Sequence, residues 1–201
     1  MSDTKQVING IKIVGMDPSL SNFGFAKATL DPDTLNYAIN DLVLVKTENE
    51  KDKKVKKVVR KNSEDLERAR KLYEGMMEAC KGASFAFAEV PVGSQSARAM
   101  ASYGVCIGVL SACPIPLIQV TPTEVKLAGT GFKSGTKEEM IEWAMDKFPT
   151  ANWLLTKRAG QMVPVAANEH LADAVGAIEA GIKTDQLKGI LSFMRGLRVA
   201  A

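Results

Sequence analysis

The sequence predicts an α/β fold: a mixed five-stranded sheet with helices on its faces. Three observations predict it. Three β-type runs open the chain, and a turn between the last two makes an antiparallel meander. From about residue 63 onward helical and strand patterns alternate, as in parallel strands joined by helices. The 201 residues, 46% hydrophobic and 24% charged, suit one domain spanning 1–201 with a sizeable core.

The elements follow in order. Ile11 to Met16 (IKIVGM) is a continuous apolar run, expected to be a buried strand and broken by Asp17-Pro18-Ser19. Phe23 to Leu30 is a second short strand, Asp31 to Thr34 a turn, and Leu35 to Val45 a third strand. A basic segment, 46–62, comes next. Its core, KDKKVKKVVRK, carries seven basic residues and one acid, so Lys53, Lys54, Lys56 and Lys57 are candidate contacts to an anionic partner. A helix is expected from Ser63 to Lys81, with Glu64 and Asp65 favouring its N-terminus. Ser84 to Val90 reads as a strand, Ala97 to Ala112 as a helix and Ile115 to Val120 as a strand. Thr136 and Glu139 form a capping box that opens a helix over Lys137 to Lys147. Phe148 to Val165 reads as an irregular loop. Ala167 to Ile182 is helical, with Leu171, Val175, Ile178 and Ile182 on one stripe, and a last helix runs to about Arg195.

Composition excludes several functions. The net charge of +3 is too mild to argue for nucleic acid by itself; the basic segment concentrates it. Cys80, Cys106 and Cys113 are odd in number and form no C-x-x-C pair, which argues against a disulfide framework or a thiolate zinc site. A single histidine, His170, excludes schemes that need two. Met1 to Gly10 has no apolar core of leader length. The charge-free stretch Ala99 to Pro122 is divided by Pro114 and Pro116, so a buried helix followed by a strand explains it better than a membrane span. A reduced, cytoplasmic protein is expected.

Acidic residues at three places in the chain stand out. Asp17 and Glu89 each close an apolar strand, where burial without a partner is costly. If those strands are parallel neighbours, both carboxylates emerge at one end of the sheet, where α/β sites lie. In NEHLADAVGA, Glu169, His170 and Asp173 share one helical face opposite the Leu171 stripe. A strand-end Asp, a strand-end Glu and a helix Asp suit two divalent cations that activate water against a phosphodiester.

These residues resemble the RuvC family of Holliday junction resolvases, within the RNase H-like superfamily. The resemblance runs from IVGMDPSLSNFGFA through FAEVPVGSQSARAMASYGVCIGVLSA to NEHLADAVGAIEAG. It implies that Asp17, Glu89 and Asp173 are catalytic metal ligands and that His170 fills a fourth ligand position, commonly Asp in the family. It implies catalytic or DNA-binding roles for Lys126 and Lys137; Arg98 and Lys133 are further candidate DNA contacts. Ser19 stands where the family often has Gly. Where many relatives place an aromatic just after the strand-end Glu, Val90, Pro91 and Val92 stand here, so broad cut-site preference is expected.

The reading is an Mg2+-dependent endonuclease, Mn2+ being an alternative and two ions the expectation. It would nick four-way junctions in pairs, leaving 5′-phosphate and 3′-hydroxyl ends, and act as a homodimer. The alternatives are a branched-DNA-binding protein without nuclease activity and an actin-like nucleotide-binding domain.

Overall fold

The computed structural model describes residues 10–47 and 61–200. Strands β1 (Ile11–Pro18), β2 (Asn22–Leu30) and β3 (Tyr37–Lys46) form the meander. Helix α1 (Lys61–Ala79), strand β4 (Phe85–Glu89), helix α2 (Ala97–Ser111) and strand β5 (Leu117–Val120) follow. The sheet order is β3-β2-β1-β4-β5, with β1, β4 and β5 mutually parallel. The expected mixed five-stranded α/β architecture is the one observed. No described helix is long and apolar enough to cross a membrane.

Alternation along the strands divides the core into two layers. Ile13, Phe85, Phe87 and Ile118 join one cluster with the helices of the C-terminal half. Val14, Met16, Ala86 and Ala88 point the other way, onto Leu72 and Met76 of α1 and Cys106 and Leu110 of α2. Because side chains repeat every second residue in a strand, Asp17 and Glu89 belong to the first face. That face is covered by α5 (Asn168–Gly181).

Glycine lets α5 lie directly on the sheet. A Cβ added at Gly15 would fall 2.0 Å from the Ala174 carbonyl oxygen, and one at Gly24 would fall 2.0 Å from that of His170. Gly24 is the β2 partner of Asp17, so this close approach delivers the first turn of α5 to the end of β1. The fully buried Asn168 fixes the same turn, accepting from the Leu154 N–H at 2.9 Å and donating to the Leu154 carbonyl at 2.8 Å. At the far end of α5, buried Glu179 accepts from the Tyr37 hydroxyl (2.9 Å) and pairs with Lys147 (2.5 Å) and Lys183 (3.0 Å).

Three expectations need correction. The third strand begins at Tyr37, because Leu35 still belongs to the turn: its φ is 60° and its N–H bonds the Asp31 carbonyl. A helix, α3 (Pro122–Thr130), intervenes before α4 (Lys137–Lys147). Thr121 and Glu124 form its capping box, Pro122 occupies its first turn, and left-handed Gly131 (φ 81°) ends it. The expected loop contains a hairpin, β6 (Leu155–Arg158) and β7 (Gln161–Pro164), joined through Ala159 and Gly160, both at positive φ. The last helix, α6 (Asp185–Ala200), buries Leu187 and Leu191.

Candidate metal centre

The register of β1 and β4 pairs Met16 with Ala88, so Asp17 and Glu89 are the next residues on adjacent parallel strands. Asp173, one helical turn after His170, faces them from α5. One carboxylate oxygen from each of Asp17, Glu89 and Asp173 lies within 4.8 Å of the other two. Asp17 is only 8% exposed, and the other two are half-buried.

Three acids this close disfavour full ionisation. Burial, then the charges of Asp17 and Asp173, push Glu89 up to about 9 against the opposing charge of Lys126. Burial, then the Asp17 charge, push Asp173 up to about 7, with His170 and Lys126 opposing. A hard divalent cation relieves this repulsion, and carboxylate oxygens at this spacing are its preferred donors. The three residues fit such an ion.

His170 stands beside the cluster. Its Nδ1 lies 2.7 Å from Asp17 Oδ2, and its Nε2 lies 3.5 Å from Glu169 Oε1. Lys137, the first residue of α4, pairs with the other Glu169 oxygen at 2.6 Å. A chain Lys137–Glu169–His170–Asp17 therefore runs from the surface to the centre. Burial works against the imidazolium, but the Asp17 hydrogen bond and charge, then the Glu169 and Asp173 charges, raise the His170 pKa above its ordinary value. Glu169, which the sequence also offers as a substitute metal ligand beside His170, links Lys137 to His170.

The remaining candidates are dispersed. Lys126 lies on α3, close enough for its charge to act on Glu89 and Asp173. Lys133 is exposed in the α3–α4 connection. Arg98, in the first turn of α2, is held in a two-pronged pair with Asp65 of α1, at 2.5 and 2.7 Å. Lys53, Lys54, Lys56 and Lys57 lie outside the described residues.

No protein-family model matches the sequence, and no curated protein sequence matches it. Solved structures do match. Thermus thermophilus RuvC, solved in complex with a Holliday junction substrate, is 18% identical with a TM-score of 0.58, covering 85% of this chain and 92% of its own. The yeast mitochondrial Holliday junction resolvase is 12% identical with a TM-score of 0.59, covering 96% of this chain and 87% of its own. The chain therefore has the RNase H-like fold of the RuvC-type resolvases.

Proposed function

We propose that this protein is a divalent-metal-dependent endonuclease that cuts four-way DNA junctions by paired nicks. The observation that carries the reading is the convergence of Asp17, Glu89 and Asp173 at the end of two parallel strands. The fold supports it, since the RuvC-type proteins it matches are Holliday junction resolvases.

Asp17, Glu89 and Asp173 are the residues that would hold Mg2+ or Mn2+. Divalent ions bound there lower the pKa of water and supply Lewis acidity to a phosphate. The chain's own groups do the rest. His170 fixes the Asp17 carboxylate through Nδ1, and in this reading it is the fourth member of the site. Lys126 adds positive charge beside the carboxylates, while Lys137, Lys133, Arg98 and the basic segment favour the phosphate backbone. A water oxygen attacks phosphorus, the bond to the 3′-oxygen breaks, and the products are a 5′-phosphate and a 3′-hydroxyl.

Paired cuts need two sites related by a two-fold axis. One face of α2 supports that assembly: Met100 (47% exposed) and Ile107 (45%) flank Gly104 and Gly108, around which an added Cβ would meet nothing within 4 Å. The helix, uncharged beyond Arg98, is thus only half covered by its own chain, and a second copy is the proposed cover. Incubation of the purified protein and Mg2+ with end-labelled four-way junctions, flaps and linear duplex tests the reading. Symmetric nicks confined to the junction support it; indiscriminate cutting of linear duplex refutes the junction selectivity.

A further inference from the structure

On the sheet face opposite the carboxylates, two of the three cysteines meet. Cys80 directly follows α1, its N–H bonded to the Met76 carbonyl at 2.9 Å. Cys113 lies between α2 and β5, its N–H bonded to the Leu110 carbonyl at 3.0 Å. Their Sγ atoms approach to 3.9 Å, although the residues are 33 positions apart in sequence. Cys80 is buried and Cys113 is half-buried, so a small reagent reaches the pair through Cys113.

The contact polarises the two thiols. The Cys80 hydrogen bond, helped by the backbone at Ile115, lowers Cys113 to about 7 despite burial. The same hydrogen bond, then burial, raises Cys80. Cys113, the more exposed of the two, is the sulfur a peroxide meets first, with a resolving thiol already in contact. Cys106 is an internal contrast: it is 1% exposed, and burial, then the Asp17 charge, push it up to about 11.

We propose that Cys80 and Cys113 form a reversible dithiol–disulfide site whose oxidant is a peroxide. The Cys113 thiolate attacks one peroxide oxygen and the O–O bond breaks, leaving a sulfenic acid and hydroxide, which takes a proton to become water. The Cys80 sulfur then attacks the Cys113 sulfur. The S–S bond forms, the S–O bond breaks, and the departing hydroxide takes the Cys80 proton. Two thiols lose two electrons, and one hydrogen peroxide becomes two waters. A disulfide of about 2.05 Å requires the sulfurs to close by roughly 2 Å. Both cysteines sit just beyond helix ends, where rotamer and backbone adjustment is least resisted. The bond ties the C-terminal end of α1 to that of α2, and this does not depend on the nuclease reading.

The test treats the reduced full-length protein with equimolar hydrogen peroxide, then denatures it and alkylates free thiols with N-ethylmaleimide. The expected product has lost two hydrogens and carries one maleimide, on Cys106. Tryptic peptides 72–81 and 99–126 should be linked, with fragment ions placing the bond at Cys113 rather than Cys106. A dithiol should reverse the link, and closing the loop should raise Tm by about 5–10 °C. Cys113→Ser should leave Cys80 and Cys106 both alkylated; Cys80→Ser should carry Cys113 to a link between chains or, when a second equivalent of peroxide is added, to sulfinic acid. Three alkylated cysteines after peroxide would overturn the proposal, as would sulfinic Cys113 with alkylated Cys80 in the unsubstituted protein. That protein alone decides the matter should either variant fail to fold.

Discussion

Nδ1 of His170 lies 2.7 Å from Oδ2 of Asp17, joining the first turn of α5 to the end of β1. The imidazole fixes which way the Asp17 carboxylate presents its other oxygen, and Glu169 and Lys137 fix the imidazole in turn. Groups that orient metal ligands are typically worth about 10–100-fold in activity. His170→Ala should therefore lower the cleavage rate by that factor with junction affinity little changed. His170→Asn, whose amide donates from nearly the Nδ1 position, should restore part of it. An alanine variant cutting at the full rate would reduce His170 to a bystander.

The contribution of the Glu89–Asp173–His170 cluster to stability without added cation should depend on pH with a single sign. Glu89 is raised to about 9, Asp173 to about 7, and His170 also upward. All three bind protons more strongly folded than unfolded, so stability falls as pH rises. For the two carboxylates the fall begins just above their ordinary values and is complete once pH passes about 9. The His170 contribution is present below 6.5 and is lost through its raised folded value. Tm measured in EDTA should drop steadily from pH 5 to 9, and saturating Mg2+ should flatten the profile. A flat EDTA profile would show that the cluster is not strained by its own charge.

Gly24 permits the contact that places His170. Its added Cβ would fall 2.0 Å from a backbone carbonyl, which cannot rotate aside as a side chain does. Gly24→Ala should cost about 1–3 kcal/mol of stability and displace the first turn of α5. Cleavage should fall further than the folded fraction does. A variant that melts like the parent and cuts normally would show that α5 has room to spare.

The outer face of α2 makes the opposite prediction. Because Gly104 and Gly108 have open space around them, Gly104→Leu or Gly108→Leu should leave the monomer folded. Each leucine should weaken self-association and convert paired nicks into single ones. Light scattering and a supercoiled cruciform plasmid read the two effects separately. A strictly monomeric parent, free and junction-bound, would remove the dimer from the account.

Strand ends and helix faces were legible in the sequence because their signals are periodic. An apolar run closed by an acid placed Asp17 and Glu89, and a 3.6-residue stripe placed Asp173. Helix α3 escaped because Thr121-Pro122-Thr123-Glu124 carries the same capping signature as the start of α4, yet follows a strand directly and opens only nine residues. The β6–β7 hairpin escaped because almost all its residues are exposed, leaving only Ala159-Gly160 as a turn signal. Glu169 shared a face with His170 in the sequence, but its pairing with Lys137 depends on how α4 lies against α5. No pattern within either helix encodes that.

The central claim is that Asp17, Glu89 and Asp173 hold the ions that cleave DNA. Single-turnover cleavage of an end-labelled four-way junction by Asp17→Asn at fixed Mg2+ tests it most directly. Amide for carboxylate removes a ligand and a charge with little change in volume. The expected rate falls about a thousandfold or more, a loss of roughly 4 kcal/mol in transition-state stabilisation. Junction affinity and Tm should be retained. Cleavage by Asp17→Asn at the unsubstituted rate would contradict the claim.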